Sequence, residues 1–199
     1  MLTTTFSTQL TALYEQRARF TPIPRKNSAF QQMATPAQKF VLMRHNAEHY
    51  FLRPSPGCSE MPALQGNFIF VVLVSEPGTV YCGKILDMLT HTVDMEPFYI
   101  DGHTSLSNNQ AVLFAGEMHF VNAALTSWSN RSGHYLPPSH LRTNLLPHIR
   151  LLLPEYLYNR IDFSSQGSLS SGGALSSVSS WQSRGSSYSS FSSFEEPGI

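Results

Sequence analysis

Apolar and polar positions change rhythm several times along the chain, and each change predicts an element. In the first twenty residues Phe6, Leu10, Leu13 and Tyr14 recur at helical spacing and predict a short amphipathic helix, which Pro22 and Pro24 end. Residues 21–37 read as an irregular linker. From Lys39 the pattern becomes strand-like. KFVLMRH (39–45) predicts a strand, HYFLRP (49–54) continues it after a turn, and PSPGCSEMP (54–62) is loop by composition. NFIFVVLVS (67–75) is an uninterrupted β-branched and aromatic run, the pattern of a strand buried on both faces. EPGT follows with Pro second and Gly third, and VYCGKIL returns, so a hairpin is predicted from Phe68 to Leu86. Residues 87–102 carry no clear period. QAVLFAGEMHFVN and ALTSWSN predict a second hairpin, in which Ala115 and Gly116 mark a bulge or a close approach of backbones. After Pro137 and Pro138 the capping-capable Ser139 opens a helical pattern with Leu141, Leu145, Ile149 and Leu152 on one stripe. Pro147 should kink or split that helix.

The last part of the chain breaks with all of this. Residues 164–193 hold sixteen serines in thirty positions, with Trp181, Tyr188 and Phe191 spaced singly among them. Such a tract cannot bury enough apolar area to offset its ordering entropy, so residues 161–199 are expected to form a disordered tail. It ends in FEEPGI. The expected organisation is therefore an N-terminal helix and linker (1–37), an α+β module (38–160) and the tail (161–199).

Composition narrows the function classes. Apolar residues make up 41 % of the 199 positions, enough for a core, while charged residues are only 13 %. Thirteen basic side chains balance thirteen acidic ones, so nothing electrostatic points to nucleic acid or an acidic membrane as partner. Cys58 and Cys82 are too few for a disulfide framework and have no metal-type spacing. The start of the chain lacks the pattern of a secretory signal, and the longest apolar run, Phe68 to Val74, is too short to span a bilayer. A soluble product made in a cytosol is expected.

The segment His103–Pro138 carries the most specific motifs: HTSL, then AVLFAGEMHFVNAALTSWSN, then SGHYLPP. As a set these resemble a module of plant IQ-motif calmodulin-binding proteins, also found in bacterial toxin-like and effector-like proteins. There a His-Ser-Ser segment leads to an Ala-Gly-Glu strand, a short turn and Ser-Gly-His-Tyr-x-Pro before a helix. The hairpin FIFVVLV…VYCGKI fits the one preceding the motif. The likeness covers the middle third to half of the chain. It departs at the turn VNAA, where the plant type is acidic with Gly, and at SNNQ, where the plant type is Gly-rich. No IQ-x3-RG-x3-R pattern occurs, so calmodulin binding is not implied. The module implies a fold unit and no settled activity.

Within it, His103, Ser105, Glu117, His134 and Tyr135 are the candidate site. A histidine can serve as general base, a serine as nucleophile or hydrogen-bonding group, and a glutamate as orienting group or acid. The same set can also bind a ligand without catalysis. The competing structural account has Ser132 and Gly133 making a turn because Gly tolerates positive φ, His134 bonding a backbone group, and Tyr135 packing its ring on the core while its hydroxyl meets a polar partner. His103 and Ser105 then belong to the same polar cluster. His45 and His49 stand four apart, a zinc-like spacing without a third ligand, and no metal or cofactor is assigned. Cys82 is expected to be a core thiol.

The expected fold is α+β, an antiparallel hairpin-built sheet with a C-terminal helix packed on it. The Ser-rich tail, with its Glu pair and apolar last residue, resembles the translocation signals of type IV secretion substrates of intracellular bacteria. Together with the toxin-like module it implies an effector delivered into a host cell, where a host protein or small molecule is the partner. The alternative is a transferase or hydrolase using the five-residue pocket.

Overall fold

The computed structural model describes residues 20–46, 49–85 and 97–163. The helix expected before residue 20, most of the aperiodic stretch 87–102, and the tail from residue 164 lie outside them. Seven strands form one sheet: β1 (Phe40–Arg44), β2 (Tyr50–Pro54), β3 (Gly66–Leu73), β4 (Tyr81–Lys84), β5 (Val112–Val121), β6 (Ala124–Ser129) and β7 (Tyr158–Asn159). Their order is β2-β1-β4-β3-β5-β6-β7, and every pairing is antiparallel except that of β6 with β7. The chain is α+β, as its patterning predicts.

Each hairpin follows from its turn chemistry. The Glu76 carbonyl accepts from Thr79 N–H at 3.1 Å, closing the EPGT turn between β3 and β4. Between β5 and β6 the two-residue loop Asn122–Ala123 has φ of 49° and 62°, the left-handed pair that matches strand twist. Asn tolerates this conformation, and Ala carries steric strain there.

Opposed residues in the register share a face. Phe40, Cys82, Phe70 and Gly116 form one row and Phe68, Met118 and Trp128 the next. On this face the rings of Phe70, Phe114 and Trp128 meet one another, and Tyr50 and Phe68 each pack edge-on against Phe120. The C-terminal segment covers it: Tyr50 donates its hydroxyl to the Leu152 carbonyl at 3.0 Å, and the Trp128 indole donates to that of Pro154 at 2.7 Å. Here the expected single helix is divided. A 3-10 turn (Ser139–Asn144), a short helix (Pro147–Leu152) and a second 3-10 turn (Glu155–Leu157) take its place. Pro147 occupies the first helical position, where its missing N–H costs nothing, so it starts a new helix. Leu145 and Ile149 from the predicted stripe are fully buried, and Leu141 and Leu152 are half-buried.

The opposite face presents Ile69, Glu117 and Gly83, where a Cβ on Gly83 would collide with Ile100. Ile100 leads into α1 (His103–Ser107), a five-residue helix in which every residue is buried although four of the five are polar. The motif HTSL thus lies on a helix set against the sheet. The expected linker, residues 21–37, is irregular until a 3-10 turn at Pro36–Gln38, and it is fastened to the module along its length. Ile23 pairs with Val112 through two backbone bonds of 2.7 and 3.0 Å, and the chain then runs across α1 as a strap. From Pro24 to Lys39 no residue is fully buried and only Ala34 packs, half-buried, against the core, so the strap is held between Ile23 and Phe40 mainly by hydrogen bonds. Both outer strands are blunted: Tyr50 N–H is taken by the Ala123 carbonyl, β2 ends in Pro54, and β7 has two residues. Among the described residues no helix is long and apolar enough to cross a membrane.

Candidate functional site

The five candidate residues gather around α1, but they do not line one open pocket. Gly116 organises them. A Cβ there would sit 1.8 Å from the Ser129 carbonyl oxygen and 3.0 Å from the Phe70 ring, so only glycine lets the end of β6 pass this close. The Gly116 carbonyl accepts from His103 Nε2 at 2.9 Å. His103 is therefore the Nε2–H tautomer, and burial drives its pKa down to about 4 against the opposing pull of that carbonyl. The charge of His134 pushes it further down, which sets the two imidazoles within electrostatic reach of each other. His134 in turn donates Nε2–H to the Ala29 carbonyl on the strap at 3.0 Å. Each ring thus spends one nitrogen on a backbone carbonyl.

Tyr135 is fully buried. Its hydroxyl donates to the Gln110 carbonyl at 2.6 Å, so the 2.6 Å contact with Ser107 has the serine as donor. Burial raises its pKa, in opposition to the Ser107 bond. Ser105 is buried on α1, and its hydroxyl oxygen has no partner. Its backbone carbonyl accepts from Ala34 of the strap at 3.2 Å. Glu117 shares the α1 side of the sheet, with its carboxylate 3.7 Å from Arg131 Nε and about a quarter of its side chain open (27 %). Burial pushes its pKa up to about 7, while Arg131 pulls it the other way.

The loop SGHYLPP holds this cluster, by other means than its glycine suggests. Gly133 does not adopt positive φ; Leu136 does, at 42°. A bulky residue in that region is strained and persists only where the surroundings over-determine it. Leu136 N–H bonds the Ser132 carbonyl at 2.8 Å, and its own carbonyl accepts from Lys26 Nζ at 3.2 Å. Patterning did not single out Asn130, which ends β6 fully buried. Its amide donates to the carbonyls of Pro137 and Ile161, each at 2.9 Å, and its oxygen accepts Ile161 N–H at 2.8 Å. One side chain thereby ties the motif loop to Ile161, which composition alone assigns to the tail. A polar residue just past a strand that already alternates with Thr and Ser carries no sequence signal of its own.

Gln31 was missed for the same reason, since nothing in an irregular segment marks it. Its carboxamide accepts from Thr104 N–H at 3.0 Å and the Thr104 hydroxyl at 2.5 Å, and donates to the Asp101 carbonyl at 3.1 Å. An open groove of about 380 Å³ lies beside the loop, where Lys26, Leu136, Pro138 and Arg160 meet Phe163. The remaining candidates resolve simply. His45 and His49 face each other across the β1–β2 turn through a 2.9 Å backbone bond, and no group of three potential metal ligands occurs among the described residues. Cys82 is buried in the core, which pushes its thiol pKa up. No family model, no curated protein and no solved structure matches this chain.

Proposed function

We propose that this chain is a bacterial effector-type protein, delivered into a host cell through its Ser-rich C-terminus, whose α+β module binds a host partner. The toxin-like motif set and the tail composition support delivery. One observation carries the choice of binding over catalysis: one ring nitrogen each of His103 and His134 and the hydroxyl of Tyr135 are spent on backbone carbonyls that hold a helix, a loop and a strap together. A nucleophile and its base need mutual hydrogen-bond reach and access to substrate, and the Ser105 hydroxyl is buried without a hydrogen-bond partner. The enzymatic alternative draws support from Glu117, whose pKa near 7 suits an acid–base role.

Ser105→Ala separates the two. Removing an unpartnered buried hydroxyl leaves folding unchanged or slightly favoured. The variant, produced in a host cell, should retain the full growth phenotype of the wild type. Loss of the phenotype in a folded Ser105→Ala protein would transfer the function to the enzyme. Delivery is tested with a translocation reporter on the whole chain and on a chain ending at Phe163. Transfer should require residues 164–199, and equal transfer of both forms ends the secretion reading.

A further inference from the structure

The contact between Gln31 and α1 is a built site. We infer that Asp101, Gly102 and Thr104 form a socket for a primary carboxamide, filled in the resting chain by Gln31 and opened to a glutamine of an extended partner segment when the strap lifts. The inference rests on the reading of the module as a partner-binding unit, and it names what that unit recognises.

The chemistry of the socket is that of an amide and no other side chain. Two donors on Thr104, its N–H and its hydroxyl, converge on one oxygen, and the Asp101 carbonyl takes a donor from the neighbouring nitrogen. A carboxylate would place its second oxygen against that carbonyl, lone pair to lone pair. An ammonium could satisfy the Asp101 carbonyl but would face the Thr104 N–H donor to donor, and a hydroxyl offers one atom where the amide places an acceptor and a donor side by side. The shape agrees: a Cβ on Gly102 would stand 2.0 Å from Gln31 Nε2 and 2.7 Å from its Cδ, so the missing side chain is the space the amide fills. Thr104 is buried, and next to it Ser105 keeps a buried hydroxyl without partner.

The strap is the part of the fold built to come away. Lys26 and Asn27 N–H bond the His134 carbonyl, Ala29 accepts from His134, Gln32 N–H bonds the Asp101 carboxylate, and Ala34 N–H bonds Ser105. No buried apolar side chain accompanies these bonds between Ile23 and Phe40. Segments with few apolar contacts and solvent-accessible backbone bonds open well below the free energy of global unfolding.

Hydrogen exchange and titration of the full chain test this. The amides of Lys26, Asn27 and Ala34 should exchange roughly tenfold or more faster than those of Phe70 and Val71, the signature of local opening. Exchange at the rate of β3 would mean that the strap stays shut and the inference fails. In Gln31→Ala protein, N-acetylglutamine N-methylamide, whose side chain is its one primary carboxamide, should produce a saturable shift of the Thr104 amide resonance. The matching N-acetylglutamate N-methylamide should not, and Gly102→Ala in the same background should abolish the response. No saturation, equal response to both probes, or survival in Gly102→Ala protein overturns the socket. If Gln31→Ala does not fold, Gln31→Asn, one methylene shorter, takes its place in the same titration. Gly102→Ala alone should also weaken the host phenotype. An undiminished phenotype removes the socket as the partner's site while leaving delivery and binding in place.

Discussion

His103 and Glu117 lie against the same carbonyl–strand corner and titrate in opposite senses, so the pH dependence of stability should change sign between their variants. His103 is held near pKa 4 in the fold against 6.5 in the unfolded chain. Between those values the folded state binds fewer protons, so stability falls as pH drops through that window. At about 1.4 kcal/mol per pH unit the full loss is about 3 kcal/mol, a large part of a typical domain's stability. Glu117 is raised to about 7 from 4.5, so its folded state binds more protons and stability falls as pH rises through that window. Its slope is the smaller, because 27 % of the side chain meets water. From about pH 4.5 to 6.5 the two slopes oppose each other, and wild-type stability should be nearly flat. Denaturant midpoints at half-unit pH steps measure this. Glu117→Gln should restore a rise with pH of about 1 kcal/mol per unit, and His103→Gln, which keeps an amide donor for Gly116, should show a fall. A flat profile in Glu117→Gln protein would mean that His103 is hydrated in the fold, and the buried polar layer described above would be wrong.

Two further perturbations probe the scaffold. Gly116→Ala should destabilise the chain by about 3 kcal/mol or more, since its Cβ meets backbone that cannot swing aside. Gly133→Ala, with nothing within 4 Å of the new carbon and no positive φ, should stay within about 0.5 kcal/mol of wild type, and equal thermal midpoints for the pair would refute the close approach at Gly116. Asn130→Ala leaves the Pro137 and Ile161 carbonyls and the Ile161 N–H without their partner. The thermal midpoint should drop on the order of 10 °C, and a change under about 3 °C would show that residues beyond Asn159 are not part of the folded unit.

Most of the sheet was legible because strand pairing writes itself into the sequence as alternation, and turn residues mark its corners. The run at 67–75 announced β3, EPGT its turn, and the interruption at Ala115–Gly116 the close passage of β6. Pro147 announced that the C-terminal helix would break. Three things were not legible. HTSL forms a helix through burial of polar residues whose partners lie far along the chain, and no periodicity records that. The strap uses backbone groups and two glutamines, and backbone hydrogen bonding leaves no trace in composition. The positive φ sits at Leu136 and not at Gly133, because the bonds of Ser132 and Lys26 to the loop decide its path, against local preference. The candidate site was legible as a set of residues and not as a role: the same His, Ser and Tyr that suit catalysis also suit a buried polar lock.

The two faces of the sheet explain why that lock lies where it does. One face is closed by aromatic packing and by the C-terminal turns, whose buried Leu145, Leu146, Ile149 and Leu153 cannot leave without unfolding the domain. The other is closed by a polar helix and by a strap that contributes no buried side chain between Ile23 and Phe40. A partner that binds by displacing part of the fold can do so only on the second face, where the free energy to be replaced is a handful of hydrogen bonds of about 1 kcal/mol each. Most of those bonds end on His134, Asp101, Thr104 and Ser105, with others on Tyr99, Asn109 and Leu136, so residues that give the motif its character are among those a displaced strap would uncover. Polar residues in a buried layer are expensive to exchange for apolar ones one at a time, because each leaves a partner unsatisfied. That cost holds the layer together in the closed chain, and under the proposed binding it would make the uncovered layer selective for a segment that restores every bond the strap gave up.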